Sequence, residues 1–204
     1  MATDAGEFEL LGFAGAELIA PGTYRLTRLL RGQGGTDPAM GAAAIGNRVV
    51  VLDAGVAIID VPSGWAGDTL ALRVYAGRHD GVGWPLEVPL GLGPLLPLPP
   101  AHLRARRNGT GDVTFGWVRR SRADGGAWAA AEVGLEHMPE AYRVTVFAAG
   151  LPVRGLEAEA PAATYSAAQQ VADFGGLPSG FDFTVAQLSP VYGPGHPASG
   201  SFHA

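Results

Sequence analysis

Tyr142-Arg143-Val144-Thr145-Val146-Phe147 and Phe181-Asp182-Phe183-Thr184-Val185 decide the fold. In the first, Tyr142, Val144 and Val146 share one face, and in the second Phe181, Phe183 and Val185 do. A period of two in β-branched and aromatic residues is the mark of a strand with one face in a core. Upstream of this pair, Leu103 to Arg107 reads as a strand, Asn108-Gly109 with Gly111-Asp112 as a turn, and Val113, Phe115 and Trp117-Val118 as the next strand. Trp117 and Trp128 read as core residues. Ala162 to Ala172 is open between a strand and a short helix, and Gly193 to Ala204, rich in Gly, Pro and Ser, is expected to be an unordered tail. Strands at this spacing predict a β-sandwich.

The first half also reads as strands. Phe8-Glu9-Leu10 begins one, and Ala16 to Ala20 follows the flexible Gly12 and Gly15. Pro21-Gly22 supplies the fixed φ and then the positive φ of a type II turn. Tyr24 to Arg31 satisfies both helical and strand spacing, and the alternation of Tyr24 and Leu26 around Arg25 favours strand. Arg48 to Leu52 and Val56 to Val61 flank Asp53-Ala54-Gly55 and predict a hairpin, and Thr69 to Tyr75 predicts one more strand.

Between the halves, Gly91-Leu92-Gly93-Pro94-Leu95-Leu96-Pro97-Leu98-Pro99-Pro100 reads as a stiff, extended linker. The expected organisation is therefore all-β: an antiparallel β-barrel-like or hairpin domain over 1–90, a linker over 91–99, and a β-sandwich over 100–204 whose tail starts near 193. Composition agrees. Gly (31) and Pro (16) make up close to a quarter of the 204 residues, which disfavours long helices. A 47% hydrophobic and 16% charged chain is equally unlike a disordered one.

Composition and motifs also exclude function classes. A net charge of -5 is not drawn to nucleic-acid phosphate, and with no cysteine there is neither a disulfide nor a thiolate nucleophile. No apolar run approaches a membrane span, and Met1-Ala2-Thr3-Asp4 does not open a secretory signal. The Gly-rich run Arg31-Gly32-Gln33-Gly34-Gly35-Thr36 lacks the Lys-Ser/Thr of a phosphate loop and reads as a structural turn. His79, His102, His137, His196 and His203 are dispersed, without metal-ligand spacing, and read as surface or loop residues. No G-x-S-x-G surrounds any serine. Acid pairs such as Glu157/Glu159 or Glu136/Glu140 have nothing to set them across a cleft and read as solvated. No catalytic, cofactor or metal residue is assigned. One possible interaction patch stands out, Arg119, Arg120 and Arg122, either an anion-binding cluster or a strand end paired with nearby acids.

A family resemblance rests on quotable residues. Phe8-Glu9-Leu10-Leu11-Gly12-Phe13-Ala14-Gly15-Ala16-Glu17-Leu18, Ala20-Pro21-Gly22-Thr23-Tyr24-Arg25-Leu26 and Leu29-Leu30-Arg31-Gly32-Gln33 come first. Pro100 to Ala105, Trp117 to Arg122, Glu140 to Val144, Ala172 to Gly175 and Val185 to Ser189 follow in order. Together they resemble the carboxy-terminal region of the large tail-tip (megatron) protein of gene transfer agents and related siphophages. Phe183-Thr184-Val185 with Tyr192-Gly193-Pro194-Gly195 resembles the end of a fibronectin type III domain. The resemblance implies a structural virion protein of the tail tip or baseplate. It implies partners among hub, distal-tail, peptidase and fibre proteins, assembly as a homotrimer, no cofactor and no enzymatic activity. The family's long members carry hub-like domains, and often a glycosidase-like barrel, ahead of this region. A cell-wall hydrolase is therefore not carried over, and the chain is expected to be a fragment or a separately encoded component. A carbohydrate-binding adhesion module for host glycans is the alternative, on aromatics and loops around Gly77 to Trp84.

Overall fold

The computed structural model describes residues 1–2, 7–123 and 134–204. Trp128, expected in the core, lies outside them. The chain divides into two compact units, Met1–Leu95 and Leu96–Ala204.

In the first unit, β1 (Leu10–Ala20) and β2 (Thr23–Gln33) form an antiparallel hairpin closed by Pro21-Gly22, with Gly22 at φ 67°. Leu18 lies opposite Tyr24 and Ala16 opposite Leu26, so the ambiguous Tyr24–Arg31 stretch is strand. A 3-10 turn, Asp37–Gly41, follows. β3 (Thr69–Val74) then pairs with β4 (Trp84–Pro89) in a second two-stranded sheet. Two prolines, Pro85 and Pro89, sit in β4; β4 pairs with β3 alone, so the missing donors need not interrupt a second ladder. Arg48–Leu52 and Val56–Val61 do not pair, contrary to the sequence expectation. Only the turn between them forms, with Asp53 O accepting from Val56 N–H at 3.0 Å and Asp53 Oδ1 from Gly55 N–H at 2.8 Å. The arms lack alternation, so neither has the one-faced pattern that would settle it on this unit.

The second unit is a two-sheet sandwich. β5 (Ala101–Arg107), β6 (Val113–Val118) and β9 (Ala162–Tyr165) make one sheet in the order β5-β6-β9. The other runs β8-β7-β10, with β7 (Tyr142–Ala148), β8 (Leu151–Ala158) and β10 (Gly180–Ser189). β11 (Gly193–Pro194) and β12 (Ala198–His203) continue that sheet along β10. Val113, Phe115 and Trp117 from one sheet meet Tyr142, Val144, Val146, Phe181, Phe183 and Val185 from the other, all buried. Phe115 and Phe183 lie with ring centroids 4.7 Å apart. The alternation quoted from β7 and β10 therefore marks the core-facing side chains of both strands.

Three elements differ from the sequence reading. Ala162 to Ala172 is strand and helix in turn: β9 ends at Tyr165 and α1 spans Ala167–Phe174. β8 was not legible, because Pro152 and Gly155 break its alternation; it lies at the end of its sheet, where proline is tolerated. Gly193–Ala204 is not an unordered tail. Its small residues let β12 lie against β10, with Gly200 beneath Phe183, and they bring Phe202 into the core.

Candidate functional site

At one end of the sandwich, the arginine cluster leaves β6. Arg119 Nη1 is 3.4 Å from Glu140 Oε2, and Glu140 Oε1 accepts from the Tyr142 hydroxyl at 2.6 Å. The edge of Trp117 meets Tyr142 at 5.0 Å. Burial, then the carboxylate of Glu140, push the Tyr142 phenol well above its ordinary pKa, so it is a fixed donor. Arg122 donates from its backbone N–H to Glu136 Oε2 at 3.0 Å, and from Nη1 to Glu136 Oε1 at 3.1 Å and to Leu96 O at 2.9 Å. Arg120, between them, is half-buried. Arg119 and Arg122 thus brace the strand end against Glu140 and Glu136, and those acids are not solvated as the sequence suggested.

His137 is buried here too, not at the surface. Its ring stands edge-on to Tyr192 at 6.4 Å, with Nε2 4.0 Å from Glu136 Oε1. Its burial has no periodic signal around it. Glu157 pairs instead with Arg143 across β7 and β8 at 2.7 Å. Among the described residues, no group of three or more His, Asp or Glu side chains is placed to hold a metal. No described helix is long and apolar enough to cross a membrane.

The opposite loops are fixed by a second polar network. Gln170 on α1 is fully buried; its Nε2 donates to Gly111 O at 3.0 Å and Tyr165 O at 2.9 Å, and its Oε1 accepts from Arg107 Nη2 at 3.0 Å. Asp112 Oδ1 accepts from Ala167 N–H at 2.8 Å. Asp173 receives Arg154 through both Nε and Nη2, at 2.8 and 2.7 Å, and the Tyr165 hydroxyl at 2.6 Å. The Arg154 bonds hold its carboxyl below the usual carboxylate range.

In the first unit, the Gly-rich run is a turn built around an ion pair whose carboxylate is buried. Glu9 is buried, and both its oxygens meet Arg31, with Nη2 to Oε2 at 2.6 Å. Glu9 Oε1 also accepts from Gly32 N–H at 3.2 Å, and Arg31 Nη2 donates to Met40 O at 2.7 Å. Gly32 has φ 61°, and a Cβ there would meet Met40 Sδ at 2.9 Å and Asp37 Cα at 3.0 Å. These donors are spent on the protein's own acceptors. The Glu9–Arg31 pair escaped sequence reading, because the two residues lie on separate segments with no spacing rule between them.

Asp80 orders the β3–β4 connection. Its Oδ1 accepts from Gly83 N–H at 2.9 Å and Val82 N–H at 3.1 Å, and its Oδ2 from Ala76 N–H at 3.1 Å. These backbone donors lower its pKa. Tyr75 and Trp84 stand exposed beside that turn.

The most uneven property is the distribution of apolar surface. Among the described residues, 12 hydrophobic side chains are buried, and of these only Ala39 belongs to the first unit. Of the 31 large hydrophobic residues that are exposed, 25 precede Leu96. The second unit exposes only six such described residues.

A family model described as "Rcc01698-like, C-terminal" matches residues 1–50, about a quarter of the chain. Rcc01698 is a gene transfer agent-associated protein. No curated protein matches the chain at a significant level. Among solved structures, domains d3-d4 of the rat CD45 extracellular region align at 11% identity and TM-score 0.37, covering 98% of this chain and 100% of that one. The fibronectin type-III domain of human fibronectin type III domain containing protein 3 aligns at 14% identity and TM-score 0.35, covering 53% of this chain and 85% of that one. The FN5 domain of Drosophila Lar aligns at 9% identity and TM-score 0.30, covering 53% of this chain and 97% of that one. The all-β, antiparallel architecture stands on the strand pairing itself.

Proposed function

We propose that the chain is a non-enzymatic structural component of the tail tip, or baseplate, of a phage or gene transfer agent. It is made in the bacterial cytoplasm and carried in the virion, three copies around the tail axis, beside hub and distal-tail proteins, for host attachment and DNA delivery. The observation that carries this reading is the family match over residues 1–50. The apolar surface of the same unit supports it, since a unit that buries almost none of its large apolar residues needs neighbours. Antiparallel sheets suit such a role, because a paired ladder resists deformation along its length.

Gold labelling of an epitope-tagged chain on purified particles tests the placement. Label at the distal end of the tail is expected; label on the capsid or along the tail shaft overturns it. Purified particles are also expected to clear cell wall no differently when Glu136 and Glu140 are changed to Gln. Clearance lost with those changes in particles that still assemble a normal tip would make the chain a hydrolase.

A second reading has its own observation. Trp84 is 74% exposed at the start of β4, beside the turn that Asp80 orders, and an exposed indole can stack on a sugar ring. As an adhesion module the chain would bind host glycans, and Trp84→Ala would abolish the signal on a glycan array. No glycan signal from the intact tip rejects this reading and leaves the structural one standing.

A further inference from the structure

We infer that residues 48–61 form a hairpin that adds to the open edge of the β1–β2 sheet in a second copy of the chain. The inference rests on the structural role proposed above for its setting. Its physical grounds are in the first unit alone.

The segment is Arg48-Val49-Val50-Val51-Leu52, Asp53-Ala54-Gly55, Val56-Ala57-Ile58-Ile59-Asp60-Val61. Its β-branched content is that of a strand pair, and its turn is already closed by the Asp53 bonds. Yet residues 42–62 contain no strand, and Ile58 is 87% and Val50 59% exposed. The apolar residues run continuously instead of alternating, the pattern of strands buried on both faces. This chain's own first unit does not cover them.

The complement lies in the same unit. β1 and β2, each 11 residues long, pair only with one another, so each has one edge of unpaired N–H and C=O groups. Leu18, Tyr24, Leu29 and Leu30 stand exposed along that hairpin. Apart from Arg48 O, which accepts from Ala2 N–H at 2.8 Å, one chain therefore has arms and open edges that its described residues do not bring together. A second copy supplies each with the other, through a contact that repeats from copy to copy.

Charge favours a copy over a different protein. Residues 42–67 hold only Arg48, Asp53 and Asp60 as charged groups, so there is little for an oppositely charged partner to match.

The absence of cysteine makes disulfide trapping clean. One tagged full-length copy carries Val50→Cys; a second, differently tagged, carries Ala16→Cys on β1 or Leu26→Cys on β2. Mixing under mild oxidation is expected to join the two tags in at least one combination, and a Ser199→Cys control on the sandwich is expected not to join. Light scattering should give the wild-type chain more than a monomer's mass at micromolar concentration, and Val50→Glu with Ile58→Glu should return it to monomer. Because that double variant could unfold, hydrogen exchange on the wild type supplies an independent readout, with amides of 48–61 protected in the oligomer. A monomeric wild type overturns the inference, as does an oligomer in which 48–61 exchanges freely and neither combination cross-links. Protection gained only when other tail proteins are added also overturns it, with a different protein as the occupant. None of these results bears on where gold label falls, so this inference and the tail-tip reading fail separately.

Discussion

Gly195 shows how much one missing side chain decides. It is buried beside Pro97, and a Cβ there would strike the Pro97 carbonyl oxygen and lie 2.6 Å from the proline Cβ. Backbone cannot step aside as a flexible side chain can. Gly195→Ala is expected to cost about 1–3 kcal/mol as an overpacking change, read as a lowered urea midpoint. Gly22→Ala meets no neighbour within 4 Å, but forces alanine to φ 67°, so its milder penalty is purely conformational. In the sequence, the Pro21-Gly22 turn could be read and the role of Gly195 could not. A turn is set by its own residues, whereas the crowding at Gly195 depends on Pro97, far away in the chain.

α1 makes the same point for an element. At eight residues it is too short to persist alone. It is held at its start by Asp112 and by a capping box in which Ser166 Oγ accepts from Gln169 N–H and the Gln169 side chain accepts from Ser166 N–H. Gln170 ties its middle, and Asp173 its end. Ser166→Ala should cost about 1 kcal/mol by thermal denaturation. The Ser166-x-x-Gln169 pattern ahead of Val171 and Phe174, with Gly175 after it, was the signal that divides helix from strand here.

The Asp173 contact also gives the helix a pH dependence. A carboxyl whose folded pKa is depressed stabilises the fold above its unfolded pKa, near 3.9 for Asp, and loses that contribution as pH falls through the folded value. Arg154 depresses Asp173, and the Ala167 N–H depresses Asp112, so both act in the same direction. Chemical unfolding followed from neutral pH down to about pH 3 should show stability falling at the acid end. Asp173→Asn should be less stable at neutral pH and show a shallower acid loss. An unchanged slope would mean that Asp173 does not carry it.

Across the whole molecule, the two units differ in what holds them. Among the described residues, eleven of the 12 buried hydrophobic ones lie in Leu96–Ala204. A fragment of 96–204 is expected to keep a cooperative urea transition, and one of 1–95 to unfold without one. Cutting the chain after Tyr192 should abolish the transition of the sandwich, because it removes β12 and, with it, Phe202. The sandwich was legible in sequence because alternation in β6, β7 and β10 reports a face, and a face is a local property. In the first unit the β1–β2 hairpin and β3 were legible, whereas residues 48–61 carry strand composition with no face to assign.

That unassigned segment also sets a condition on making the protein. Val49–Leu52 and Val56–Ile59 are two apolar, largely β-branched runs of four in a stretch of little charge, the composition that stacks into fibres, and Asp53 and Asp60 are the only acidic gatekeepers inside 48–61. A newly synthesised copy therefore runs a race between capture by the right neighbour and indiscriminate clumping. Slow, dilute synthesis would leave it uncaptured for longer, and crowding it without an ordered acceptor would favour precipitate. Soluble yield should thus follow the supply of assembly-competent neighbours more closely than the intrinsic stability of the sandwich.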